Sequence, residues 1–315
     1  MNAFKKEKPF IIYGLGERGK IYYDFFADRG FGGCVAGFCD QRYLEMEPYR
    51  EKPCYSYDAA KALGVPFLLS VLDRDSFSQI AQQLTADGCC YYGMEDIADY
   101  LGVDKVAFNR AYIAFFHDGR MDNYYSSAEE KRNLDIFWGE HSDFLHLFRQ
   151  LDLTEVIELA CGRGRHVGQY LDSAGSVTLV DILEKNIAAC QERFRAYRNV
   201  HYYCNNGFDL KQLESGKYTA LFSYDAMVHF EMMDIYQYLK DIYRVCAKGG
   251  RVLIHHSNYA QDYKASFLNS PHGRSYMTDG IFAYLAFRSG FKILEQKVIS
   301  WGESRDIDCI TLLEK

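Results

Sequence analysis

Val156-Ile-Glu-Leu-Ala-Cys-Gly-Arg-Gly-Arg165 and, a little further on, Val177-Thr-Leu-Val-Asp181 are the stretches that decide how this chain folds. Each starts as an apolar run of strand character. The first breaks into a turn with glycines at 162 and 164, and the second ends in a carboxylate. Glycines without Cβ let a ligand lie against the backbone where a helix is expected to begin. An acid closing the next strand is placed to accept hydrogen bonds from ribose hydroxyls. Together they predict a nucleoside site at the edge of a parallel sheet.

A second glycine turn, Gly14-Leu-Gly16-Glu-Arg-Gly19, follows Phe10-Ile-Ile-Tyr13, and Asp40 closes the next apolar run. It keeps the three-glycine dinucleotide fingerprint, whereas the later turn opens on Glu158, so the two need not take the same ligand. With 315 residues, 48% hydrophobic and 25% charged, the chain is long enough for two ordinary domains. Strand signals at 10–13, 34–38, 66–71 and 89–92 alternate with helix signals at 20–27 and 77–84, and a short segment covers 94–101. They predict an N-terminal Rossmann-like domain over residues 1–105.

Over 106–150 the alternation stops. Helices at 108–116 and 128–149 predict a helical connector able to cover a pocket, the second starting after Ser126-Ser127 as N-cap with Glu129 and Glu130 in its first turn. From 151 to 315, strands at 156–159, 177–180, 200–204, 220–224 and 251–255 alternate with helices at 166–171, 183–194 and 234–245. Ile235, Leu239, Ile242 and Val245 share one face of the last helix. A helix at 279–288 and strands at 291–301 and 308–313 follow, and the short loop Gly302-Glu-Ser-Arg305 makes those strands antiparallel neighbours. The fold class is α/β, with two Rossmann-like domains.

Net charge is −7, with basic residues scattered among acids, which argues against a nucleic-acid or anionic-membrane partner and for small molecules. Met1–Pro9 lacks the apolar core of a signal peptide, and no apolar run reaches bilayer length, so a cytoplasmic protein without a membrane span is expected. The ten cysteines are dispersed without a CxxC pair and predict reduced thiols, neither a disulfide framework nor a metal site. Cys89-Cys90 should point to opposite faces of one strand. A homo-oligomer is compatible with all of this.

Five parallel strands with a terminal antiparallel pair, an acid-led glycine turn and an acid ending the second strand resemble the class I S-adenosylmethionine-dependent methyltransferases, over residues 130–315. Glu158-Leu-Ala-Cys-Gly-Arg-Gly-Arg-His166 is similar to the family's first motif, Asp181 to its ribose-binding acid, Asn205-Asn-Gly-Phe208 to its adenine loop, and Arg244-Val-Cys-Ala-Lys-Gly-Gly250 to the turn before strand five. Ala160 stands where the family usually has glycine. The resemblance implies a seven-stranded sheet and S-adenosyl-L-methionine as cofactor. Its binding residues would be Glu158, Ala160, Cys161, Gly162, Gly164, His166, Asp181, Ile182, Asn206, Gly207, Phe208 and Tyr224, with Glu158 facing the ammonium.

Phe222-Ser-Tyr-Asp-Ala-Met-Val-His-Phe230 and His255-His-Ser-Asn258 resemble bacterial methyltransferases of sugars and glycans. That implies O-methylation of a sugar or glycan precursor with His229 as general base. His256 would be a second candidate or a substrate ligand, and Asp225 would hold the base or the cofactor's ammonium. His255, Asn258, His272 and Arg274 are offered to a polyhydroxyl or phosphorylated acceptor. Alternation along a strand lets only one of His255 and His256 face the site. A histidine satisfying a buried backbone carbonyl is the plain alternative. The first glycine turn keeps a different function in view: an NAD(P)-dependent oxidoreductase, or a module binding NAD or a nucleotide-sugar, working through Gly14, Gly16, Gly19 and Asp40.

Overall fold

The computed structural model describes residues 8–71 and 73–315; Met1–Glu7, part of the stretch read as lacking a signal peptide, lies outside the described residues. The chain divides into two units, Met1–Phe108 and Asn109–Lys315.

In the first unit Phe10–Tyr13 forms β1, Glu17–Asp28 α1, Val35–Cys39 β2, Cys54–Tyr55 β3, Tyr57–Ala62 α2, Phe67–Leu69 β4, Arg74–Ala86 α3, Tyr91–Tyr92 β5 and Asp96–Leu101 α4. The sheet order is β3-β2-β1-β4-β5 and every pair is parallel. All four residues of β1 are buried, because a central parallel strand is covered on both faces and reads as an unbroken apolar run. The strand β3 and helix α2 were not foreseen: two residues carry no periodicity, and α2 is six residues long although Ser56 caps it. Cys89 and Cys90 precede β5 rather than lying in a strand, which corrects the opposite-face expectation.

Helix α5, Lys105–Arg120, leads into the second unit, where α6 (Asp122–Ala128), α7 (Lys131–Trp138) and α8 (Asp143–Phe148) precede the sheet. One long helix over 128–149 was expected. Instead α7 stops where Gly139 closes on the Asp135 carbonyl, with 2.5 Å left for a Cβ, and Ser142 caps a fresh helix by accepting from the Leu145 N–H. Ser126 and Ser127 are not an N-cap. Both sit inside α6, their hydroxyls donating back to the carbonyls of Asp122 and Tyr124.

The sheet then runs β6 (Glu155–Leu159), β7 (Ser176–Asp181), α9 (Glu184–Arg193), β8 (Val200–Cys204), β9 (Tyr218–Ser223), α10 (Met232–Val245), β10 (Cys246–Ser257), α11 (Asp279–Arg288), β11 (Lys292–Trp301) and β12 (Ser304–Glu314). Its order is β11-β12-β10-β9-β6-β7-β8. The five strands from β10 to β8 in that order are parallel, and β12 enters antiparallel between β10 and β11. The α/β class, the seven strands and the terminal antiparallel pair are as expected.

Period-two alternation splits β6 between two cores. Val156 and Glu158 face the layer holding Phe144, Phe148 and Tyr170, while Ile157 and Leu159 face the layer under α10 and α11. Along α10, Ile235, Leu239, Ile242 and Val245 are buried together with Tyr238; each such side chain contributes about 1.5–3 kcal/mol by leaving water. The helix expected at 166–171 does not form. After the glycine turn the chain makes two short 3-10 turns, Val167–Gln169 and Leu171–Ser173, so no helix dipole points at the turn.

Candidate functional site

The glycine turn leaves β6 through Ala160, which has φ 59°. That left-handed backbone favours glycine and costs an L-residue about 1–2 kcal/mol. Gly162 and Gly164 are also left-handed: a Cβ at the first would crowd the Tyr125 ring at 3.1 Å, and one at the second would clash with the Phe194 ring at 2.6 Å. Asp181, buried at the end of β7, ties the turn down. One carboxylate oxygen accepts from the Gly162 N–H at 2.9 Å, and the other from the Leu183 N–H at 2.9 Å and the Asn186 amide at 3.1 Å. Burial raises the Asp181 carboxyl above its ordinary range, against the lowering by these donors.

Beside the turn opens a cleft with about 440 Å³ of empty space, open solvent included. Its walls bring together Ala160, Asp181, Ile182 and Gly207, all expected, with Asn205, Tyr238 and Arg110, which were not. Asn205 is buried and donates to the Tyr238 hydroxyl at 2.7 Å. Asn206 is exposed, its side chain accepting from the N–H groups of Phe208 and Asp209 to hold the loop. A Cβ on Gly207 would strike Ile182 at 2.5 Å and Arg110 at 2.9 Å. From α5, Arg110 pairs with Asp234 and lays its guanidinium over the Phe208 ring at 4.5 Å.

A charged cluster stands past the end of β9. Asp225 has φ 56°, and its carboxylate accepts from Arg165 at 2.8 Å and from the Tyr124 hydroxyl at 2.6 Å. Burial alone would raise its pKa, yet Arg165 and Tyr124 outweigh that and hold it at about 2. The Asp225 N–H donates to His255 Nδ1 at 3.0 Å, and His255 Nε2 lies 3.1 Å from Asp308. Tyr224 is buried, stacked on the His255 ring at 4.5 Å. His229 follows in a 3-10 turn, half-buried, with Nδ1 2.9 Å from the Gly273 carbonyl. Its ring lies 6.1 Å from that of His117 and 5.3 Å from that of Phe267. Enclosure lowers its pKa to about 4, although the Gly273 carbonyl opposes this, so the ring is neutral near pH 7.

The other expected residues lie elsewhere. Glu158 is buried on the far face of β6, accepting from the Tyr170 hydroxyl at 2.7 Å with its second oxygen unpartnered, and burial pushes its carboxyl up to about 8. His166 is buried among aromatic rings and accepts from the Trp138 indole at 3.0 Å. Cys161 is buried, its thiol and that of Cys190 both against the Gly162 carbonyl. His256 turns to the opposite face from His255, stacked on Phe282 at 3.8 Å, its nitrogens 2.9 Å from Ser257 O and Thr311 Oγ1. Burial lowers its pKa to about 3. Both ring nitrogens are engaged inside the core, which corrects its candidacy as base or substrate ligand.

Asn258 bridges the Asp306 carbonyl and the Asp279 N–H. His272 is exposed with φ 52°. Arg274 is not available to a phosphate: it is 2% exposed and forked onto Asp308 at 2.9 and 2.5 Å. Among the described residues no three His, Cys, Asp or Glu side chains cluster as metal ligands would, and no helix is long and apolar enough to cross a membrane.

In the first unit Gly14 has φ 101°, and a Cβ there would sit 2.8 Å from Ser70 Oγ; one on Gly19 would sit 2.0 Å from the Gly14 carbonyl oxygen. These two glycines serve the close packing of the turn itself. Gly16 caps α1 and leaves open space. Asp40 accepts from the N–H groups of Leu15 and Arg42, both at 3.0 Å, gripping its own glycine turn as Asp181 grips the other.

Residues 156–250 match the family model described as Methyltransferase domain. This segment is a methyltransferase domain. The enzyme class follows from that match. Among solved structures, the chain is similar to an S-adenosylmethionine-dependent methyltransferase from Mesorhizobium loti, with 14% identity, 55% of this chain and 97% of that chain covered, and a TM-score of 0.46. One from Clostridium acetobutylicum has 12% identity, coverage of 62% and 99%, and a TM-score of 0.47. The [4+2]-cyclase SpnF has 12% identity, coverage of 54% and 79%, and a TM-score of 0.46. No curated protein matches the chain.

Arg110, Tyr124 and Tyr125 escaped the sequence reading because α5 and α6 come before the matched segment and approach the site only through folding. Asn205 and Arg165 stood inside the quoted motifs. Strand β8 ends at Cys204, and Asn205, just beyond it, is buried and lines the cleft while Asn206 is exposed.

Proposed function

We propose that the protein transfers the methyl group of S-adenosyl-L-methionine to a hydroxyl of a small molecule, a sugar or glycan precursor, with His229 as general base. The observation that carries the cofactor assignment is the cleft at the carboxyl ends of β6, β7 and β8, with a buried aspartate that grips the glycine turn at its wall. That crevice is where an open α/β sheet takes its ligands. Asp181, Ile182, Gly207, Arg110 and Tyr238 line that cleft together, and in this reading the carboxylate meets the ribose hydroxyls while Arg110 and Tyr238 flank the flat ring. When bound, the cofactor supplies an electrophilic methyl group, so positioning of the acceptor accounts for much of the rate.

For His229, a carbonyl oxygen can only accept, so the bond to Gly273 puts the proton on Nδ1 and leaves the Nε2 lone pair to take one. Near pH 7 the Nε2 lone pair is therefore unprotonated, although a pKa of about 4 makes it a weaker base than the group matched to pH 7 that contributes about 10²- to 10⁴-fold. Asp225, already committed to Arg165 and Tyr124, is read as fixing the wall beside it rather than moving protons.

Thermal-shift titration tests the cofactor assignment. Saturating S-adenosylhomocysteine, at 100 times its dissociation constant, should stabilise by about 2.7 kcal/mol, NADH should not, and Asp181→Ala should remove most of the effect. Stabilisation by NADH alone would transfer the working site to the turn at Gly14, Gly16 and Gly19. His229→Gln should keep S-adenosylhomocysteine affinity while S-adenosylhomocysteine production with sugar and nucleotide-sugar acceptors collapses; normal production in that variant removes His229 from the base role.

A further inference from the structure

Segment 270–276 lies beyond the matched methyltransferase segment, yet it holds the turn that carries His229 by three hydrogen bonds. The Ser275 N–H donates to the Val228 carbonyl at 3.0 Å, the Ser275 hydroxyl donates to the His229 carbonyl at 2.9 Å, and His229 Nδ1 donates to the Gly273 carbonyl at 2.9 Å. The contact leaves no slack. Gly273 is left-handed at φ 66°, and a Cβ on it would sit 2.8 Å from the Phe267 ring and 3.3 Å from His229 Nδ1.

Between Gly273 and Ser275 stands Arg274. Its fork reaches across to Asp308 on β12 at 2.9 and 2.5 Å, its remaining nitrogen donates to the His272 carbonyl at 2.9 Å, and its face lies 5.0 Å from the Trp301 ring centre. Ser270 donates to the Arg274 carbonyl at 2.5 Å. Both members of the ion pair are buried, at 2% and 0% side-chain exposure. A buried pair returns little net stability once its desolvation is counted. A bidentate fork does impose a geometry that lysine cannot reproduce.

We propose that Arg274 and Asp308 are positioning residues: through the segment they anchor, they hold His229 with its proton on Nδ1 and its Nε2 lone pair free to accept. This rests on the reading of His229 as base, and it gives Arg274 a place in the reaction without contact with the substrate. Asp308 serves both sides of the site, since it also lies 3.1 Å from His255, whose other nitrogen takes the Asp225 N–H. One carboxylate on the antiparallel strand thus fixes the two segments, at 225 and 229, that follow β9.

Long-range proton–nitrogen correlation spectra of the full chain labelled at histidine show which ring nitrogen is protonated, and His229→Gln assigns the signal. At pH 7 the wild-type His229 should be a single Nδ1–H tautomer. Arg274→Lys keeps the charge and removes the fork, and a majority of its His229 should shift to the Nε2–H form while thermal melts show the chain still folded. Ser275→Ala, which deletes one hydroxyl, should show a detectable Nε2–H fraction and serves if Arg274→Lys does not fold. A wild-type His229 protonated on Nε2, or folded variants that keep the single Nδ1–H tautomer, overturns the proposal. Because this readout needs no turnover, failure of the base assignment shows instead as normal methyl transfer by His229→Gln.

Discussion

Glu158→Gln should make the protein less sensitive to rising pH. The wild-type carboxyl is buried beside Tyr170 with one oxygen unpartnered, and its pKa rises from 4.5 to about 8. Between those values the folded state holds a proton that the unfolded state has released. The folded state therefore binds more protons, and stability falls as pH rises. From pH 5 to pH 7 that is two units at about 1.4 kcal/mol each, or roughly 2.5 kcal/mol lost to this one group. Glutamine is neutral throughout, keeps an oxygen to accept from the Tyr170 hydroxyl, and preserves volume. Urea unfolding of both proteins at pH 5, 6 and 7 gives the difference directly, free of the other titrating groups the two proteins share. The variant should gain on the wild type by roughly 2.5 kcal/mol across the window. A constant difference, or a loss that grows with pH, would show that the carboxyl is ionised in the folded protein and that the desolvation account of this position is wrong.

Ala160→Gly should stabilise the second unit: relief of about 1–2 kcal/mol of left-handed strain outweighs about 0.5–1 kcal/mol of extra chain entropy in glycine, and a melting temperature below that of the wild type would contradict it. Arg110→Ala should weaken S-adenosylhomocysteine binding measured by calorimetry by roughly 5- to 30-fold, the worth of about 1–2 kcal/mol for a stacked guanidinium, whereas unchanged affinity would place the ring away from α5.

Local pattern carried much of the architecture. The strand β6 with its turn, the buried face of α10 and the terminal hairpin are all written in residues close together in the chain, where a period of two or 3.6 or a short glycine loop shows directly. Other features depend on partners far away. Nothing near Arg274 announces that Asp308, thirty-four residues on, will take its fork, so an exposed phosphate ligand was the natural reading. His256 looked as reactive as His255 because alternation says that the two part company without saying which one meets Phe282. Where the helix after Gly164 was expected, two 3-10 turns form and Tyr170 turns inward to Glu158, a contact that nothing beside either residue announces.

The late insertion of β12 between β10 and β11 has a consequence for biosynthesis. A ribosome delivers the chain from its N-terminus, so the glycine turn, the cleft and the histidine turn all emerge before the carboxylate that locks them. Until residues 304–314 clear the exit tunnel, Arg274 is a buried-to-be cation without its counter-ion and β10 is an open edge. The β10–β12 pairing and the Arg274–Asp308 contact both wait on those residues.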